Sequence, residues 1–137
     1  MVECEPTSRG SGMSDASNWV PPLAETRVIE LGTGIASGYA GKLFRDAGAE
    51  VIKVEPTGGD PLRTWSATGA SLGDRPGALF SFLAAGKQSV IGSIEDLAIA
   101  ELVRGADLVI DDGSIDVDAL RAASPRCTAQ SPAWLPA

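Results

Sequence analysis

Short apolar runs alternating with segments of helical period leave this chain few folds to adopt. Arg27-Val-Ile-Glu-Leu31 is closed by Gly32, and Val51-Ile-Lys-Val54, Ser89-Val-Ile91 and Asp107-Leu-Val-Ile110 follow it along the chain. Runs of this length, rich in β-branched residues, read as strands buried on both faces. Between the first two, Tyr39, Ala40, Leu43, Phe44 and Ala47 recur at helical spacing, with Gly48 at the expected C-terminal cap. Gly77 to Ala85 reads as a short helix carrying Leu79, Phe80, Phe82 and Leu83. Ser93 is placed to cap the next helix, with Glu95 and Asp96 in its first turn and Arg104-Gly105 at its end. A short helix around Val117 to Ala122 and a fifth strand over Arg126 to Gln130 complete the series. Strand and helix in alternation predict an α/β fold with a parallel sheet and right-handed crossovers.

Two stretches fall outside this rhythm. Residues 1–26 are rich in Ser, Pro, Gly and acids and read as a flexible N-terminal tail, with Trp19 and Val20 available to fold back. Residues 57–76 form a long polar, glycine-rich connection, and loops of this length inside an α/β domain are commonly functional or mobile.

Composition narrows the chemistry. The chain has 137 residues, enough for one domain with a real core. Eighteen acids against eleven bases give a net charge of −7, which argues against nucleic acid and anionic membrane surfaces as partners. There is no histidine, so neither a Ser-His nor a Cys-His pair can be built from this chain. Cys4 and Cys127 lie far apart with no metal-binding spacing around them, so neither a disulfide framework nor a metal is expected. The first residues lack the basic-then-apolar pattern of a secretory signal, and no run approaches the roughly 20 apolar residues of a membrane span. The expected compartment is the cytoplasm.

The strongest chemical signal is Gly32-Thr-Gly-Ile-Ala-Ser-Gly38, between the first strand and the first helix. Glycines there let backbone approach a ligand, and a helix amino terminus presents N–H groups to an anion. Glu55 follows the second strand, near the place of the ribose-binding carboxylate in dinucleotide-binding domains. The spacing is G-x-G-x-x-x-G rather than G-x-G-x-x-G, so an NAD- or FAD-binding domain and a ligand-free turn both remain open.

The phrase Gly48-Ala-Glu-Val-Ile-Lys-Val-Glu55, continued by Gly58-Gly-Asp-Pro-Leu-Arg63, is more specific. Alone it permits bland accounts: Lys53 running its stem along the sheet to an edge, and Arg63 solvated in a loop. Together with Phe82-Leu-Ala-Ala-Gly-Lys-Gln-Ser-Val90, Ala106-Asp-Leu-Val-Ile110 and Leu120-Arg-Ala-Ala-Ser-Pro-Arg126, it resembles the amino-terminal part of the family III CoA-transferases. That group includes formyl-CoA transferase, carnitine CoA-transferase and α-methylacyl-CoA racemase. The resemblance covers about residues 27–131 and implies a truncated Rossmann-like domain over 27–137, with coenzyme A or an acyl-CoA as ligand. It also implies a homodimer, or a partner subunit carrying the catalytic segment, because the family's acyl-accepting aspartate lies beyond the matched region. A carboxylate suits such transfer, since it can form a mixed anhydride and pass the acyl group to the CoA sulfur.

Carried over position by position, the resemblance makes Gly34, Ile35, Arg63, Lys87 and Gln88 the candidate CoA contacts and assigns no catalytic residue and no metal ligand. The departures matter as much. Pro56 and Gln88 stand where the family usually has arginine, and Asp111-Asp112-Gly113-Ser114 replaces a loop that carries one. Adjacent residues point different ways, so Asp111 and Asp112 are expected to form a solvated acidic loop rather than an acid/base pair. The resemblance therefore supports the CoA-binding portion of a transferase first and a non-catalytic homologue acting in assembly or regulation second. A dinucleotide-binding oxidoreductase domain comes third.

Overall fold

The computed structural model describes residues 19–123 and 128–130. Five strands, β1 (Arg27–Glu30), β2 (Glu50–Glu55), β3 (Gln88–Ile91), β4 (Leu108–Asp111) and β5 (Thr128–Gln130), pair in parallel in the order β3-β2-β1-β4-β5. Four helices alternate with them: α1 (Gly34–Asp46), α2 (Ala78–Ala84), α3 (Leu97–Arg104) and α4 (Val117–Ala123). This is the Rossmann-like α/β sheet flanked by helices that the strand–helix alternation and the resemblance predict. Of the fifth strand, Arg126 and Cys127 lie outside the described residues.

The strands explain how the sheet divides its two faces. Side chains alternate along a strand, so neighbours enter different cores. Ile29, Ile52, Val54 and Val109 join Ile99, Val103 and Leu120 on the face covered by α3 and α4. Val28, Val51 and Ile110 face the other way, against Ala40 and Phe44 of α1. Glu30 and Lys53 share that second parity, which places two charged groups beneath α1.

Helix α1 is where the periodicity misjudged a face. Tyr39 and Leu43, expected inward, are exposed, and the buried positions are Ser37, Gly38 and Gly41. Small residues let the helix backbone sit close to the sheet, a signal that a search for large apolar residues passes over. The helix ends as expected: Gly48 has φ +101, a conformation that favours glycine.

Two other expectations shift. Ser93 does not cap α3. Asp96 holds that position, its carboxylate accepting the Ser93 N–H at 2.7 Å, and the helix starts one turn later with no acid in its first turn. In the N-terminal stretch Trp19 and Val20 stay exposed, while Leu23 packs beside Val28 and Phe44 and its N–H donates to the Ala47 carbonyl at 3.1 Å.

Candidate functional site

The first part of the long connection after β2, through Asp60 and Arg63, is tied down by charge. Lys53 does not emerge at an edge: its side chain is 4% exposed. Its ammonium lies 2.9 Å from Glu30 Oε1 and 2.7 Å from Asp60 Oδ2, and it donates to the Gly32 carbonyl at 3.2 Å. The other oxygen of Glu30 receives Lys87 Nζ at 2.6 Å, and Lys87 also donates to the Gly38 carbonyl at 2.8 Å. Two carboxylates and two ammoniums therefore form a buried neutral tetrad, packed around a void of only ≈ 10 Å³. Gly41 makes the tetrad fit, because a Cβ there would run into Glu30 Oε2 and Lys87 Nζ.

The two lysines respond differently. Burial pulls Lys53 down, but Glu30 and Asp60 outweigh it and hold the ammonium above its ordinary value. Burial also pulls Lys87 down, and Glu30 alone, opposed by nearby Lys53 and Lys42, does not restore it. Lone buried charges are costly, whereas partners with good geometry offset most of that cost.

A second clasp stands beside the first. Arg63 grips Glu55 with both arms of its guanidinium, Nε to Oε2 at 2.6 Å and Nη2 to Oε1 at 2.7 Å, and lies 4.2 Å from the centre of the Phe80 ring. Glu55 also accepts from Ser89 Oγ and from the Asp60 N–H. The Arg63 contact above all, helped by Ser89 and the Asp60 amide, holds the Glu55 carboxyl down to about 2 against the opposing effect of burial. Asp60 in turn caps a single 3-10 turn, Pro61–Arg63, by accepting the Leu62 N–H at 2.8 Å.

Concave space lies at the carboxyl end of the sheet, where the order reverses between β1 and β4. Open α/β sheets bind ligands at such switch points. The cleft has a volume of about 340 Å³, within the range of small-ligand sites. Leu31, Val54, Ile94 and Ile115 give it an apolar lining, and Pro56 stands at its edge. Thr33, Ser93, Asp112 and Ser114 supply the polar groups.

The loop after β4 is an internal brace rather than a solvated acidic turn. Asp111 is fully buried, taking the Gly113 N–H at 2.9 Å and Ser114 Oγ at 3.1 Å. Asp112 Oδ2 crosses to the β1–α1 loop and accepts the Thr33 N–H at 2.9 Å and Thr33 Oγ1 at 3.2 Å, while Oδ1 accepts the Ser114 N–H at 3.1 Å. Burial acts to raise the Asp112 carboxyl, but these donors outweigh it and keep it below the ordinary aspartate value.

The sequence profile of CoA-transferase family III matches residues 23–133. The chain belongs to CoA-transferase family III. Over 133 residues it is 37% identical to the succinate–glutarate CoA-transferase of Agrobacterium fabrum, an alignment covering 83% of this chain and 32% of that protein. It is 58% identical over 45 residues to the succinyl-CoA–D-citramalate CoA-transferase of Chloroflexus aurantiacus, covering 32% of this chain and 11% of that one. Among solved structures, a CAIB/BAIF family protein from Brucella suis superposes with a TM-score of 0.68 at 29% identity, over 80% of this chain and 32% of the other. The chain thus spans about a third of the length of the Agrobacterium fabrum and Brucella suis proteins.

Within this family III domain the five candidate contacts do not converge. Gly34 opens α1 next to Thr33 with φ +81 and open space where a Cβ would stand, and Ile35 beside it is exposed. Lys87 has its ammonium inside the tetrad, its side chain 1% exposed. Arg63 is committed to Glu55. Gln88 sits at the amino end of β3, 3.4 Å from Glu50, at the opposite end of the sheet from the cleft. Sequence reasoning missed the Thr33–Asp112 clasp, whose partners are 79 positions apart.

Proposed function

We propose that this chain is the CoA-binding portion of a family III CoA-transferase-like protein, taking a CoA thioester with the adenosine end in the cleft between the ends of β1 and β4. The cleft carries this reading. It lies at the sheet's switch point, has apolar walls suited to a purine, and adjoins Thr33-Gly34-Ile35, where α1 begins and backbone is accessible. Family membership supplies the substrate class. Transfer of CoA between acyl groups also needs an acyl-accepting carboxylate. In the family that carboxylate, an aspartate, lies beyond the segment this chain resembles, so we assign the role to further chain or to a partner subunit, as in a homodimer. Arg63 and Lys87 enter the proposal as CoA contacts only through rearrangement, since each now holds an internal carboxylate.

Those same bonds favour a second reading, a family member that keeps the sheet for assembly or regulation without catalysis. The dinucleotide reading draws little support, because Glu55 is already held by Arg63, Ser89 and the Asp60 amide. We place the protein in the cytoplasm. Among the described residues no helix is long and apolar enough to cross a membrane.

Thermal unfolding with CoA, acetyl-CoA or NAD at millimolar concentration tests the proposal. A ligand present at a hundred times its Kd stabilises the fold by about 2.7 kcal/mol, a clear shift in Tm. A shift with the CoA species alone supports the CoA-binding portion, and recovery of transferase activity on adding a polypeptide with the family's catalytic segment extends it. No shift with any of them favours the non-catalytic homologue, and a shift with NAD alone points to the dinucleotide domain.

A further inference from the structure

The loop that meets the ligand in the reading above is held from beneath by two lysines that come from elsewhere in the sheet. Lys53, on β2, donates to the carbonyl of Gly32, immediately before Thr33, at 3.2 Å. Lys87, immediately ahead of β3, donates to the carbonyl of Gly38, in α1 beyond Ile35, at 2.8 Å. Glu30, on the strand that leads into the loop, bridges the two ammoniums, taking Lys53 on Oε1 at 2.9 Å and Lys87 on Oε2 at 2.6 Å. Gly34 and Gly38 line the small void within the tetrad, so these charges lie directly under the loop. The packing there is close. A Cβ on Gly32 would run into Ser37 Oγ and the Asp112 amide nitrogen, and one on Gly38 would come 3.2 Å from Leu83 Cδ1. The side chains of Glu30, Lys53 and Lys87 are 0%, 4% and 1% exposed, and further chain only deepens that burial.

Resting on the CoA reading above, we propose that Glu30, Lys53 and Lys87 are positioning residues for CoA. Glu30 sets the two lysines, the lysines set the carbonyls of Gly32 and Gly38, and those carbonyls fix where Thr33-Gly34-Ile35 presents its backbone. None of the three side chains touches the ligand. A loop fixed beforehand has less chain entropy to lose on binding, and this preorganisation is what the tetrad contributes to affinity. Lys87, which the family resemblance marks as a CoA contact, thereby gains a role with its ammonium where it stands.

Calorimetric titration of the full chain with CoA tests the proposal, using pairs of substitutions that leave the net charge unchanged. Lys87→Met with Glu30→Gln removes the donor to Gly38 and leaves Lys53 paired with Asp60. Lys53→Met with Asp60→Asn removes the donor to Gly32 and leaves Lys87 paired with Glu30. Each pair avoids a lone buried charge, so it should recover part of the Tm lost by the single lysine substitution. CoA affinity measured well below Tm should nonetheless stay about tenfold weaker in both, roughly the cost of reordering one residue of backbone. Glu30→Gln alone, of the same shape but with one acceptor oxygen in place of two, is a milder third variant and should weaken CoA in the same direction. Affinity that returns to the parent's in both pairs shows a purely structural tetrad and overturns the proposal. So does a loss confined to one pair; confined to Lys87→Met with Glu30→Gln, it means that the lysine meets the ligand directly. Either result leaves the CoA reading standing. No binding of CoA by the unaltered chain sinks that reading and this proposal with it.

Discussion

Lys53 Nζ, on the second strand, ends 2.7 Å from Oδ2 of Asp60, in the loop that follows that strand. The pair is buried, and its consequences are those of a lone charge whenever one member is lost. Lys53→Met should therefore destabilise the fold by about 3–5 kcal/mol, the usual result of leaving a buried carboxylate unpaired. Adding Asp60→Asn in that background should return part of the loss. Urea midpoints of the two variants measure both effects, and a single mutant as stable as the parent would show the pair to be energetically idle.

Gly41→Ala gives a test by sign. In an exposed helix interior, alanine is favoured over glycine by about 1 kcal/mol. Here the added methyl meets Glu30 Oε2 and Lys87 Nζ, so the same change should destabilise by about 1–3 kcal/mol, as overpacking does. Guanidinium unfolding would settle the direction.

Acid sensitivity should be traceable to Glu55. Its carboxyl is held at about 2 in the folded chain against 4.5 as its ordinary value. A depressed folded value means that the Arg63 grip contributes fully above the unfolded value and is lost as pH falls from about 4.5 toward 2. Glu55→Gln should be less stable at neutral pH and lose less stability across that interval. Unfolding midpoints at several pH values would show the shallower slope, and parallel curves would refute it.

Lys87 separates a structural from a ligand-binding role. With its ammonium on Glu30 and the Gly38 carbonyl, Lys87→Met should lower Tm in the absence of any ligand. Losing one partner of a buried pair costs on the order of 3–5 kcal/mol. If the variant melts like the parent but binds CoA more weakly, the lysine faces the ligand instead.

The fold was largely legible because strand and helix announce themselves locally. Val28-Ile29, Val51-Ile52 and Val109-Ile110 are β-branched runs, and Gly48 marks the end of α1 by a backbone conformation that favours glycine. What stayed hidden depends on partners distant in sequence. Lys53 reads as an anomaly until Glu30, 23 positions earlier, is known to lie on the neighbouring strand in register with it. The inward face of α1 was misjudged because Ser37, Gly38 and Gly41, its buried positions, carry little hydrophobic signal. The cleft was foreseeable in place, since it opens beside the loop between the first strand and the first helix. Its polarity was not, because Asp112 reads as solvated until Thr33 is seen to hold it.

The tetrad also changes what kind of surface segment residues 57–63 can be. Opening this loop alone would strip Asp60 from Lys53 and leave a charge in the core, so local excursions of these residues carry a cost of several kcal/mol, on the order of 3–5. The amides of Asp60 and Leu62, bonded to Glu55 Oε2 and Asp60 Oδ1, should then exchange their hydrogens with solvent as slowly as those of the central strands. The start of a connection that looks like a mobile loop by composition should then behave, in hydrogen exchange, as part of the sheet.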